Sequence, residues 1–117
     1  MELSIKDRLY LPNFLPAKGT FMDFNLKKSI LRKIEISEEE RKEINFRENK
    51  EESRLEWDVE KETPLNVDFS KEETDYLRKS FEKISDEELP DDMWETVNRF
   101  YDYTELSTRV RNRTLVD

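Results

Sequence analysis

Between residues 44 and 69 the apolar residues fall two apart: Ile44 and Phe46, then Leu55, Trp57 and Val59, then Leu65, Val67 and Phe69. That period belongs to a strand with one buried face, because successive side chains of a strand point to opposite sides. Two polar interruptions, Asn49-Lys50-Glu51-Glu52-Ser53 and the stretch 60–64 ending in Pro64, divide the run into strands expected near residues 44–48, 54–58 and 65–69. On both sides the spacing changes to that of helices. The expected fold class is therefore α+β, with N-terminal helices, a small three-stranded antiparallel sheet, two C-terminal helices and an extended or helical tail.

The helix signals are local and physical. Ser4 with Asp7 is a variant capping box, opening a helix that should run to about Leu11, where Pro12 ends or kinks it. Asn13-Phe14-Leu15-Pro16 reads as a bulky connector packed on the core, Gly19 as a turn and Thr20 as the cap of a second helix over 21–34. On that helix Phe24, Leu26, Ile30, Leu31 and Ile34 form one broad apolar face, with Lys27, Lys28, Arg32 and Lys33 mostly outside it. Ser37 with Glu40 opens a short acidic helix over 38–43, and Ser70 with Glu73 opens one carrying Tyr76, Leu77, Phe81 and Ile84. Pro90 fits the first position of the next helix and Asp91 and Asp92 its positive end; Met93, Trp94, Val97, Phe100 and Tyr101 form its apolar face.

Of the 117 residues, 34% are hydrophobic and 43% charged, so the core must be small. Seven Phe, four Tyr and two Trp compensate by concentrating buried area in few positions. One domain over 1–103 with a tail over 104–117 is the expected division. Trp57 and Trp94 stand in apolar stripes, so core packing is preferred to a role as exposed binding anchors.

The chain contains neither Cys nor His, which removes thiolate ligands, imidazole ligands and the most common general base. Glu38-Glu39-Glu40 with Glu43, and Asp86-Glu87-Glu88 with Asp91, Asp92 and Glu95, offer oxygen ligands of the kind Mg²⁺ or Ca²⁺ takes, but neither cluster has an EF-hand loop or its turning glycine. They read as solvated helix starts. No cofactor, no metal, no catalytic residue and no small-molecule substrate is expected, and nothing in the chain has the length of a membrane span.

Charge is unevenly spread. Residues 1–34 carry seven basic and three acidic groups, a net +4; residues 35–104 carry eleven against twenty-four, a net −13. The acidic middle makes nucleic acid an unlikely general partner. In the tail Arg109, Arg111 and Arg113 interleave with Val110 and Leu115, a composition suited to an acidic protein surface, and these five are the candidate partner-binding residues. A helix docked on its own domain is the alternative reading of the same segment.

The stretch from Asp7 through Leu15-Pro16-Ala17-Lys18-Gly19, together with Ile36-Ser37-Glu38-Glu39-Glu40, Ile44-Asn45-Phe46, Leu55-Glu56-Trp57 and Glu88-Leu89, resembles a family of small uncharacterised proteins of tailed bacteriophages and prophages. The resemblance spans about residues 3–101; Pro12 departs from it, standing where a helical residue would be expected. It implies phage origin and brings no assigned activity. Three functions are carried forward. The first is a non-enzymatic protein–protein interaction module, a structural or accessory component of a virion or its assembly, made in the host cytoplasm and binding itself or another phage protein. The others are an acidic inhibitor or decoy of a host protein, and a winged-helix-like DNA-binding regulator whose Lys27, Lys28, Arg32 and Lys33 would meet phosphates.

Overall fold

The computed structural model describes the backbone of residues 1–116 and the side chains of residues 1–106. In chain order the elements are β1 (Glu2–Leu3), α1 (Ile5–Phe14), α2 (Phe21–Ile34), α3 (Glu38–Glu43), β2 (Arg47–Asn49), β3 (Arg54–Glu56), a 3-10 turn at Val59–Lys61, β4 (Leu65–Asn66), α4 (Lys71–Lys83) and α5 (Asp91–Val116). The fold is α+β, as the change of hydrophobic period indicates.

The helix starts follow the capping logic. Ser4, Thr20 and Ser70 each accept the amide of the residue three on, while the Asp or Glu there accepts the cap residue's own amide. Helix α1 does not stop at Leu11 but continues to Phe14 with Pro12 inside it. Pro12 has no N–H to give Arg8 O, so the last turn lacks that bond, and the helix closes three residues on, where Leu15 N–H reaches Pro12 O at 3.4 Å. Pro90 lies just before α5 rather than at its first position, its carbonyl accepting from Met93 (3.0 Å) and Trp94 (3.2 Å). The expected boundary after residue 103 is crossed by α5 without interruption, so the backbone of 104–116 is helix.

The expected three-stranded sheet is not formed. Strand β2 pairs with β3 in one antiparallel hairpin, Glu48 opposite Leu55, whereas β4 pairs with β1, Leu3 opposite Leu65. Two features split the sheet. The 3-10 turn at Val59–Lys61 leads the chain away from β3, and Glu62 anchors the turn by accepting Ile5 N–H (2.9 Å) and Trp57 Nε1–H (3.0 Å). The first residues then take the vacant edge of β4: Met1 exchanges backbone hydrogen bonds with Val67 at 3.0 and 2.9 Å.

The core accordingly sits among helices and not on the sheet. Leu11, Phe14, Ile30, Ile34, Tyr76, Leu77, Phe81, Val97 and Phe100 form most of it; Leu3 of β1 joins them, and the alternating stretch adds Val67 and Phe69, with Leu65 half-buried against it. Phe14, Phe69 and Phe100 contact one another through Phe81 and through Phe69–Phe100, with ring centroids 6.0–6.4 Å apart in edge or tilted geometry. A second, smaller cluster of Ile5, Ile36 and Ile44 is covered by Leu9, Phe46 and Trp57. Leu55 and Val59, which alternation places inward, are exposed because no layer covers the hairpin there.

Candidate functional site

The buried charges come first, because a buried ionisable group is the usual mark of chemistry. Each one here is committed to holding helices together. Asp7 on α1, 2% exposed, accepts Ser4 N–H at 2.9 Å and Thr96 Oγ1–H at 3.3 Å and pairs with Arg99, both partners on α5. Arg8 on the same helix donates to Ile34 O (2.9 Å) and Glu35 O at the end of α2 and forks onto both oxygens of Glu40 in α3. That fork draws Glu40 away from Ser37, which is why the capping box expected of Ser37 and Glu40 is one-sided: Ser37 caps Glu40 N–H, with no return bond. Glu73 on α4 accepts from Ser29 Oγ–H (2.7 Å), Lys33 Nζ (2.5 Å) and Ser70 N–H (2.7 Å). Burial alone would raise the Glu73 carboxyl, but Lys33, Ser70 and Ser29 outweigh it and hold it below its ordinary value.

At the joint of α1 and α5, Asp92 accepts Tyr10 O–H at 2.7 Å and pairs with Lys6 at 3.1 Å. The tyrosine hydrogen bond and then the lysine hold the Asp92 carboxyl below its usual range, and Lys6 and Tyr10 are raised in turn. Among the described residues no three carboxylates converge as a metal site would require.

With the buried charges accounted for, two features among the described residues that the packing leaves uncovered bear on partner binding. The first is the beginning of α2. Phe21, Met22 and Phe24 are 80%, 69% and 51% exposed, and the first apolar residues of this helix to pack inward are half-buried Leu26 and fully buried Ile30. The expected place of Phe24 on the inner face is thus corrected: its ring lies outside, with Lys28 Nζ 5.2 Å from its centroid. The helix start itself is firmly built. Thr20 and Asp23 cap it reciprocally, Lys27 donates to Pro16 O at 2.9 Å, and a Cβ on Gly19 would fall 2.9 Å from the Asp23 Cβ. Glycine therefore permits the close approach of the turn to the helix that it precedes. Exposed Lys18, Lys28 and Arg32 make this apolar knob basic.

The second is a hollow of about 550 Å³ between α4 and α5. Phe81, Val97, Trp94 and Tyr101 form its walls, and Glu82 and Asn98 stand at its rim. Arg78 lies against the outer side of Tyr101, 5.2 Å from the ring centroid, and is paired with Glu82 (3.5 Å) and Glu105 (4.0 Å). Trp94 is half-buried, so it is part of the core and also lines an open cleft. Trp57 is core-facing, stacked on Phe46 with centroids 6.4 Å apart and its indole N–H on Glu62.

No family model, no curated protein and no solved structure matches this chain. The geometry stands on its own.

Of the candidate partner-binding residues, Arg109, Val110, Arg111, Arg113 and Leu115 have side chains outside the described residues; their backbone continues α5. The knob on α2 was legible only in part. Phe21 and Met22 precede the periodic stripe, and two large apolar residues beyond the stripe of an amphipathic helix signal exposure. The hollow was not legible, since Phe81, Trp94, Val97 and Tyr101 lie on the same apolar helix faces as the core residues. No described helix is long and apolar enough to cross a membrane.

Proposed function

We propose that this chain is a non-enzymatic protein–protein interaction module of phage origin, a structural or accessory component of a virion or of its assembly. The observation that carries the reading is the exposed knob of Phe21, Met22 and Phe24 on a rigidly capped helix start. Leaving such side chains in water forgoes about 1.5–3 kcal/mol for each that could be buried. Phe21 and Phe24, one turn apart on α2 with Lys28 beside the Phe24 ring, form an apolar patch edged by charge, the pattern of a surface covered by a protein partner. The saturation of Asp7, Arg8 and Glu73 by fold contacts supports the non-enzymatic part, because the buried charges are used in joining helices. The phage part rests on the sequence resemblance. Arg109, Val110, Arg111, Arg113 and Leu115 would extend the contact to an acidic neighbour.

The test is quantitative proteomics of purified particles, comparing the natural chain with Phe21→Ser/Phe24→Ser. Stoichiometric incorporation of the first and loss of the second, with unchanged folding, is the expected result. Absence of the natural chain from particles would end the virion reading. A second reading, an acidic inhibitor of a host protein, is favoured by the net −13 over residues 35–104. A pull-down from host lysate that captures no host protein would end that one.

A further inference from the structure

The two uncovered features are opposite in shape and in charge. The knob projects from the stretch 16–34, which carries Lys18, Lys27, Lys28, Arg32 and Lys33 against Asp23 alone, a net +4. The hollow lies in the stretch 71–106, which carries five basic and twelve acidic groups, a net −7. On the rim and the helix beside it stand Glu82, Glu95, Asp102 and Glu105; the facing cation, Arg78, is already paired with two of these. The hollow of about 550 Å³ has aromatic walls of the kind that hold a phenylalanine ring edge-on or offset.

We infer that the partner of the knob is a second copy of this chain: Phe21 and Phe24 of one protomer enter the α4–α5 hollow of the next, with Lys28 and Arg32 against the acidic rim. The inference rests on the reading of the chain as a protein-binding module and names the partner. Knob and hollow are different patches, so the contact is heterologous, and each added protomer presents a fresh knob and a fresh hollow. Such a contact closes into a ring or continues as a filament. Its charge complementarity makes it sensitive to salt.

Sedimentation equilibrium of the full chain tests this at low and at 0.5 M salt. The expected result is concentration-dependent association beyond the dimer at low salt, weakened at least tenfold at high salt. Phe21→Ser/Phe24→Ser removes the knob, and Asn98→Arg, at an exposed rim position, blocks the hollow and repels the basic partner. Each variant alone should be monomeric with the circular dichroism spectrum of the natural chain. Mixed, they should give a one-to-one complex that grows no further, since one retains the hollow and the other the knob. A chain truncated after Leu106 should still associate, more weakly than the full chain, since the tail only extends the contact. Overturning results are a natural chain that stays monomeric at millimolar concentration, variants that fail to recombine, or loss of association on truncation, which would make the tail the occupant. Incorporation into particles by a chain that is monomeric in solution would sink this inference and leave the proposed function standing; self-association without incorporation would do the reverse.

Discussion

Arg8 and Glu40, 32 positions apart, meet through both guanidinium nitrogens, with Nη2 2.9 Å from Oε1, while Arg8 Nε reaches Ile34 O at the same distance. One side chain on α1 thereby fixes where α2 ends and where α3 begins. Removing it leaves a partly buried carboxylate and two carbonyls without their donor. Arg8→Met should therefore cost about 3–5 kcal/mol, as loss of one member of a buried pair does. Glu40→Gln, which keeps an acceptor for one nitrogen, should cost less. Urea unfolding of both variants checks the order, and equal losses would show that the contacts to Ile34 O and Glu35 O add nothing beyond the pair with Glu40.

Glu73 sets an acid limit on stability. Its carboxyl is held below the ordinary 4.5 by Lys33, Ser70 and Ser29 against the effect of burial. A depressed carboxylate contributes fully above its unfolded value, and the contribution is lost as pH falls through the lower folded value. The stability gap between the natural chain and Glu73→Gln should thus be constant above about pH 5.5 and shrink steadily below the ordinary glutamate range. Urea midpoints measured from pH 7 to pH 3 give the gap directly, and a gap that widens in acid would reverse the assignment.

The turn before α2 should tolerate no Cβ at its glycine. Gly19→Ala would press a methyl group against the Asp23 Cβ and loosen the reciprocal cap with Thr20. The expected loss is about 1 kcal/mol, comparable with removal of an N-cap side chain by Thr20→Ala. Thermal melts of the two single variants and the double variant test it. If they act on one cap, the double variant loses less than the sum of the two.

Hydrogen exchange should separate the hairpin from the core. Residues of β2 and β3 are exposed or half-buried, whereas Leu77 and Phe100 are completely enclosed. Amides of Arg47–Asn49 and Arg54–Glu56 should exchange through local opening, and those around Leu77 only with global unfolding. Protection of the hairpin equal to that of α4 would contradict this.

How far the fold could be read from the chain depends on the kind of signal. Caps are local, so Ser4, Thr20 and Ser70 announced their helices within one residue. Strand pairing is not local. The alternation over 44–69 shows that strands exist but not which edge each finds, and nothing near Leu65 announces that Glu2–Leu3 will take it. Phe24 was misplaced for a related reason: helical spacing gives a residue's angle around α2 but not whether a neighbouring helix reaches that turn. The buried charges stayed hidden because Asp7, Arg8 and Glu73 look like ordinary solvated residues until the helices that bury them are assembled.

The union of Asp7 with Thr96 and Arg99 spans 89 and 92 positions. A ribosome makes Asp7 well before Thr96 and Arg99, so over that interval this carboxylate has no α5 partner. During that interval Phe81 and Phe69 also lack the Phe100 ring that seals them. Native closure consequently waits until α5 has been made, and the nascent chain carries an open aromatic face for as long as translation of α5 is delayed. A pause placed before Asp91 would prolong the life of that exposed intermediate.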